Sequence, residues 1–291
     1  LSPGQLYDAT HAQLLDAEQR PIPLQVRPNG LWPDGSVRWL LLDFQHRVHE
    51  KDQTVFLRYG LDVPVCEADT VLAQRSATGF TMNTGAAVLE LSNVDPCLPG
   101  RVTLADGSDS LTPLRHPGSV ELVTADGIVH VSKGRVDRLQ IEENGPLRAV
   151  VRLECIHTDH DGNCLFRSTA RVHAYAGKSW FRVAYTFTNG NTGDLFTNLR
   201  ALTLRSPLAD GPTTRTRVLQ DLDNHCTFEQ TDQVERTDRR FKGLMVAEGS
   251  DSVYAVGLRD FWQNYPKALE IGPDGIEVGI CPDVSGTDYA V

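Results

Sequence analysis

The sequence is poor in most signatures that assign function cheaply. No run approaches the ~20 consecutive apolar residues of a membrane helix. None of the six cysteines (Cys66, Cys97, Cys155, Cys164, Cys226, Cys281) belongs to a C-x-x-C pair, so a zinc ribbon or thioredoxin-type redox motif is excluded. There is no G-x-S-x-G elbow, H-E-x-x-H helix, phosphate-binding loop or dinucleotide fingerprint. Positive charge is also short, with 28 Lys and Arg against 38 Asp and Glu and a formal net charge of −10. That balance disfavours nucleic acid, whose phosphates demand a basic face. It also means that an acidic polymer would need a locally basic cleft. The chain starts Leu1-Ser2-Pro3 without a Met. Loss of a leader or of upstream residues is expected from that, which tilts the compartment toward secreted or periplasmic over cytoplasmic.

What the 291 residues do contain is strand signal. Their 40% apolar and 23% charged residues match a globular chain with a sizeable core. Residues 179–188 place Phe181, Val183, Tyr185 and Phe187 on one face, with Trp180, Arg182, Thr186 and Thr188 on the other. That is the period-two pattern of a half-buried strand. Leu147, Ala149, Val151, Leu153 and Cys155 repeat it, as do the even positions from Phe166 to Ala174. Asp161-Gly162 sits between those two stretches and predicts a hairpin. Asp-Gly also occurs at 34–35, 106–107, 126–127 and 274–275. Cys155 and Cys164 flank the predicted 161–162 turn, either facing each other across it or remaining half-buried thiols.

Helical signal is confined to residues 10–20, where Pro21 and Pro23 would stop it. The expected fold class is therefore all-β: a small barrel over residues 1–65, then a large antiparallel β-sandwich over 66–291. Strands are expected near 11–16, 21–27, 36–45 and 53–59 in the first part. Val37–Phe44 is apolar on both faces, which predicts a strand covered on both sides. Truncating a buried Trp39 would then cost ~3–5 kcal/mol.

Two segments stand out chemically. In Trp32-Pro33-Asp34-Gly35-Ser36-Val37-Arg38-Trp39, Pro and Asp-Gly specify a turn that launches a strand, with Trp32 and Trp39 as packing. The functional reading makes Trp32 a platform on which a sugar ring stacks. The second segment is Arg259-Asp260-Phe261-Trp262-Gln263-Asn264-Tyr265-Pro266-Lys267. Here Arg259 and Lys267 could neutralise a uronate carboxylate, while Trp262 or Tyr265 stacks on a ring. The plain reading is a loop pinned by its aromatics, with Arg259 paired to Asp260. His157, Asp159, His160 and Asp161 crowd one turn, and Asp221, Asp223 and His225 another. Either could bind a divalent cation, but neither has calcium-loop or zinc spacing, and solvated turns are the plainer reading. No catalytic set, metal or cofactor can be named from spacing alone.

Both distinctive segments, in this order, resemble the exo-rhamnogalacturonan lyase family. The resemblance takes in Pro3-Gly4-Gln5-Leu6, Pro21-Ile22-Pro23-Leu24-Gln25 and the Trp32–Trp39 string. It continues through Glu143-Asn144-Gly145-Pro146-Leu147-Arg148, Tyr175-Ala176-Gly177-Lys178-Ser179-Trp180 and the Arg259–Lys267 loop. It implies a RIFT barrel followed by a sandwich, and then a helical, toroid-like domain that carries the lyase machinery. Since this chain stops at Val291 before any helix-rich region, catalysis by it alone is not expected. The chemistry implied is β-elimination on a uronate polysaccharide, with Arg259, Lys267 and Tyr265 of suitable type to contribute. The alternatives are a non-catalytic carbohydrate-binding or scaffolding sandwich, and a sugar-epimerase-type sandwich. The last requires a His and a carboxylate to converge, for which His173 and Glu154 are the pair to examine.

Overall fold

A computed structural model describes residues 1–47, 53–65, 71–92, 98, 100–104, 118–132, 136–191, 193, 195–208, 211–250, 252–284 and 287–291. Among the described residues every regular element is a strand, and none is a helix. The first part has β1 (Ala12–Leu15), β2 (Pro21–Ile22), β3 (Leu24–Leu31), β4 (Val37–Phe44) and β5 (Phe56–Tyr59). They pair as β2-β1-β5 and β3-β4, and both small sheets close over Ala12, Leu14, Ile22 and Leu24. The Asp34-Gly35 turn forms as the sequence predicts: Gly35 has φ +83°, and Asp34 Oδ1 accepts from Ser36 N at 2.9 Å.

β4 departs from expectation. Leu40 and Leu42 pack into the barrel core, but Trp39 is 62% and Phe44 45% exposed. The double coverage expected of this strand is thus not met. Trp39 on one face, and Phe44 on the face it shares with Leu40 and Leu42, are both open to water, and Trp39 is not a buried packing residue. It lies instead against Gly30, its cross-strand partner, where an added Cβ would come within 3.0 Å of the indole. Among the described residues, the barrel bonds to the rest of the molecule through Gln25, Arg27, Asp43 and Gln45, whereas Trp39 lies exposed.

The second part begins with β6 (Ala73–Ser76), β7 (Gly79–Asn83), β8 (Ala87–Ser92) and β9 (Arg101–Leu104), a four-stranded antiparallel sheet. We propose the division at 1–65 and 66–291, in the stretch between β5 and β6. Next come β10 (Ser119–Thr124), β11 (Val129–Val131), β12 (Val136–Asn144), β13 (Arg148–Thr158), β14 (Cys164–Tyr175) and β15 (Arg182–Asn189). They are followed by β16 (Asn198–Ser206), β17 (Thr216–Gln220), β18 (Cys226–Gln230) and β19 (Gln233–Thr237). A hairpin of β20 (Leu244–Glu248) and β21 (Val253–Gly257) precedes β22 (Lys267–Gly272), β23 (Gly275–Cys281) and β24 (Tyr289–Ala290).

Thirteen of these strands form one sheet, ordered β15-β14-β13-β11-β10-β16-β23-β22-β17-β18-β19, with β12 on β13 and β24 on β16. Alternation decides what each face does. Ala149, Val151, Leu153 and Cys155 on β13, and Phe166, Ala170, Val172 and Ala174 on β14, are buried as their period predicts. This inner face packs against Phe80, Met82, Leu89 and Leu91 of the four-stranded sheet, which makes the sandwich. Farther along, Val218, Leu269 and Ile271 pack under Met245 and Tyr254 of the β20–β21 hairpin. Cross-strand partners share a face, so the registers place the even residues of β13 on the same outer face as Glu121, Arg205, Glu277, Glu270 and Arg217.

Asp-Gly turns join β10 to β11, β13 to β14 and β22 to β23; the pair at 106–107 lies outside the described residues. Gly162 needs its φ of +85°, and Asp159 braces that turn by accepting Asn163 N at 2.7 Å. Cys155 faces Ser168 and Cys164 faces Thr158, so the two thiols are not opposite one another. Cys66 and Cys97 lie outside the described residues. No helix here is long and apolar enough to cross a membrane.

Candidate functional site

The outer face of the large sheet carries the chemistry, in two regions. The first adjoins the barrel. Gln25 of β3 inserts its side chain into the β12–β13 turn and satisfies every polar position it has. Nε2 donates to Glu143 Oε1 (3.0 Å) and Arg148 O (3.1 Å), while Oε1 accepts from Leu147 N (3.1 Å) and Arg148 N (2.9 Å). Gly145 is required there, because a Cβ would lie 2.5 Å from the Gln25 amide carbon. Arg148 donates through Nη1 to both oxygens of Asp43 at 3.0 Å, and its Nη2 lies 3.6 Å from Glu143. The two strings around Gln25 and Gly145 are therefore two halves of one joint.

Past the joint, Arg171 binds Glu142 through two hydrogen bonds of 2.7 and 3.0 Å, and Arg152 pairs with Glu154. The bond from Arg171 holds the Glu142 carboxyl below its usual range. His173, 9% exposed, has Nδ1 3.4 Å from Arg148 Nη2. Burial, helped by Arg148, Arg182 and Arg171, pulls its pKa down to about 4, so the imidazole is neutral at pH 7. Arg182 is the direct cross-strand partner of His173; it is exposed and makes no ion pair among the described residues. Trp180, 53% exposed, packs one side on Tyr175 with centroids 4.9 Å apart.

The second region is a cavity of about 270 Å³ over β10, β16, β23, β22 and β17. Arg205 reaches Glu121 (3.3 Å) and Glu277 (3.5 Å). Arg215 grips Glu270 through two hydrogen bonds (2.5 and 2.7 Å), and Arg217 lies 3.5 Å from Glu229 and 3.8 Å from Glu270. Burial raises the Glu277 pKa, although Arg205 opposes the shift. No periodicity reveals this site, because its residues come from strands separated by more than 150 positions. They meet only through the register of the sheet.

The residues singled out in the sequence fall elsewhere. Phe261 is fully buried against Phe241, at 5.2 Å between centroids, and so pins its loop to the sheet. Trp262 is half-buried, with the Arg240 guanidinium 4.3 Å from its ring centre. Arg259 is exposed and lies 3.4 Å from Asp260, the pairing that the plain reading expects. Tyr265 is 44% exposed, before a cis bond to Pro266. Lys267 donates to Pro266 O (3.0 Å), and burial lowers its pKa. It sits in the β22 row of Leu269 and Ile271, on the side opposite the cavity. Trp32, half-buried, donates Nε1–H to Leu1 O (2.9 Å) and carries Arg38 over its ring at 4.5 Å.

Neither candidate metal turn is arranged around an open centre. Asp221, Asp223 and His225 can bring ligand atoms within 4.8 Å, but Arg236 Nη2 already sits among them, 2.7 Å from Asp221 and 3.0 Å from His225 Nδ1. In the other turn His157 is fully buried, away from the exposed His160–Asp161 pair. Its Nε2 lies 2.7 Å from the Tyr185 hydroxyl and 3.2 Å from Ser168 Oγ. The epimerase-type pair does not converge either. His173 faces Val150 and Glu154 faces Thr169, four residues or ~13 Å apart along the strand.

Fold and outer face together define an all-β chain in which a small barrel is locked onto one end of a sandwich that carries an open, charged sheet face. Residues 2–56 match the PcRGLX-like N-terminal RIFT barrel domain, and residues 118–212 match the PcRGLX-like protein central beta sandwich domain. The chain belongs to this family, the one its motif strings resemble. The joint, the Tyr175–Trp180 stack and Arg182 fall within the matched segments, whereas the Arg259–Lys267 loop does not. No curated protein matches the chain significantly.

Proposed function

We propose that this barrel and sandwich form the front portion of a polysaccharide lyase, acting by β-elimination on rhamnogalacturonan or a related uronate polysaccharide. On this reading a helical domain supplies the rest of the catalytic machinery, and the chain alone is not catalytic. The occurrence of the two family domains in the order barrel, then sandwich, carries the reading. β-Elimination requires a cation to neutralise the uronate carboxylate, a base for the α-proton and an acid for the departing oxygen. The outer face offers an exposed Arg182 without an ion pair, beside Trp180 and a neutral His173. Arg259, Trp262, Tyr265, Lys267 and Trp32 remain proposed substrate contacts; of these, Arg259 and Tyr265 are open enough to meet a polymer directly.

The test is to supply a uronate polymer to the full-length protein and follow the ultraviolet band of the unsaturated uronate. Product is expected from the full-length protein and not from residues 1–291 alone. No product on any uronate polymer would remove the lyase reading. A second reading, a non-catalytic binding or scaffolding module, is favoured by the Gln25 joint, which spends much of the first region on holding the barrel. Calorimetric titration of the isolated chain with acidic oligosaccharides, if it gave no heat, would remove the binding half of that reading.

A further inference from the structure

The cavity between Arg205, Arg217 and Glu277 has no part in the joint and none in the loop singled out from the sequence. Its cations are already satisfied: Arg205 by Glu121 and Glu277, Arg215 by Glu270, and Arg217 by Glu229 and Glu270. Lining it are three arginines against Glu121, Glu270, Glu277 and Asp283, a formal balance of about −1. An anionic ligand would have to displace a carboxylate from its guanidinium, and would do so in a chain of net charge −10. A simple cation would find three of the four carboxylates, Glu121, Glu270 and Glu277, already held by arginines.

A neutral polyol meets neither obstacle. Each hydroxyl both donates and accepts, so one hydroxyl can give its proton to a Glu oxygen while it takes a hydrogen bond from the paired Arg. Vicinal hydroxyls can therefore bridge the pairs without breaking them. Val123, Ala201 and Ala268 supply short apolar surface between the charged rows, against which the C–H face of a pyranose can lie. The volume, about 270 Å³, falls just below the ~300–1,000 Å³ typical of pockets for drug-sized ligands, which suits a single sugar unit.

We propose that this cavity is a binding subsite for an uncharged sugar unit, distinct from any position that holds a uronate carboxylate. The proposal rests on the reading that the chain handles a saccharide. In a polymer of mixed neutral and acidic residues, such a subsite fixes which units lie over the sheet and hence the register of the strand. Glu277 is the sensitive member: half-buried and cross-strand from Glu270, it completes both the Arg205 pair and the wall of the cavity.

The test uses the whole 291-residue chain, with methyl rhamnoside and methyl galactoside as neutral probes and galacturonic acid as the charged one. Saturation-transfer NMR and calorimetry are run at ~10 mM probe, well above the millimolar Kd expected of a monosaccharide-sized ligand. A neutral probe is expected to bind, to be weakened about tenfold by Glu277→Gln, and to be lost in Ala268→Trp, which fills the cavity. Each variant is checked by its thermal midpoint, so that the Gln variant decides the matter if the Trp variant fails to fold. The proposal is overturned if no neutral probe binds, if galacturonic acid binds more tightly than both, or if neither folded variant changes binding. These outcomes are separable from the lyase reading. Neutral binding without lyase product from the full-length protein would sink only that reading, and lyase product without neutral binding would sink only this one.

Discussion

The two regions of the outer sheet face are built from the same residue types and end in different states. Beside the barrel, Glu143 and Arg148 are roofed by Gln25 and Asp43, and their charges hold two domains together. Over β10, β16, β23, β22 and β17, Arg205, Arg215 and Arg217 pair with Glu121, Glu277, Glu270 and Glu229 of the same sheet, and a cavity remains above them. Arginine–carboxylate rows are thus neither structural nor functional by composition; what covers them decides. Where an uncharged amide from another domain plugs the row, the backbone of the turn is satisfied and little is left for a ligand. Where nothing covers it, a ligand can take the place that Gln25 takes at the joint.

Titration should give the largest effects, since the buried histidines and the cavity glutamate shift in opposite directions. Of the histidines, His173 belongs to the region beside the barrel, whereas His157 is in the inner-facing row of β13. His157, fully buried, has its pKa pulled down to about 4 by burial, with His130 adding to the shift, and His173 is depressed to about 4 as well. Both are neutral in the fold, while the unfolded chain protonates near the ordinary value of 6.5. Stability is therefore full above about 6.5 and falls as the pH drops toward 4, with His157 contributing up to about 3 kcal/mol. On the cavity side Glu277 is raised, so its contribution is present at low pH and fades as the pH climbs through its folded value. Urea melts at a series of pH values should show the acid loss in the wild type and a flatter profile in His157→Gln. An unchanged profile in that variant would mean that His157 is not held neutral by burial.

The joint comes next in size. Gln25→Ala removes the acceptor of the Leu147 and Arg148 N–H groups at the β12–β13 turn, while Arg148 O keeps its bond from Gly145 N, so a loss of about 2 kcal/mol is expected. Gly145→Ala should cost a similar amount by driving the same amide out of its socket. Because both remove one interaction, the double variant should lose little more than either alone. Additive losses in chemical melts would show that the two contacts are independent, and the contrast between a plugged and an open row would weaken.

Much of this was legible before any coordinates. Alternation at Phe181–Phe187, at Ala149–Cys155 and at Phe166–Ala174 placed those side chains correctly, because a two-residue period is a local property of a half-buried strand. The Asp-Gly turns were legible for the same reason. The strings around Gln25 and Gly145 were visible as motifs, but not as partners, since nothing local tells a glutamine on one strand which turn it will enter 120 residues later. The cavity was hidden more deeply. Arg205, Glu277, Glu270 and Arg217 become neighbours only once β16, β23, β22 and β17 are set side by side. Val37–Phe44 misled because apolarity on two faces records that both are able to be covered, not that both are.

On the cavity side, changes in charge should move binding far more than stability. Arg205, Glu277 and Arg215 are between 40 and 62% exposed as side chains, and pairs that open to water contribute roughly 0–1 kcal/mol. Glu277→Gln is therefore expected to shift the unfolding free energy by less than about 1 kcal/mol, against the ~2 of the joint variants. A loss as large as theirs would make the cavity row as structural as the plugged one.

The smallest effect belongs to Trp39. Burial of this ring would have made its truncation one of the costliest changes in the barrel, but at 62% exposure most of its surface never leaves water. Its contacts include the close approach to Gly30 and a guanidinium, Arg38, 5.9 Å from the ring centre. Trp39→Ala should cost under about 1 kcal/mol in a denaturant melt, near the range of surface substitutions. A cost of several kcal/mol would mean that Trp39 is covered after all, and by something other than the described residues of the sandwich, since the joint at Gln25 and Asp43 leaves the ring exposed. In that case an aromatic covered by a partner would belong with the plugged row, and the contrast with the open cavity row would be sharper.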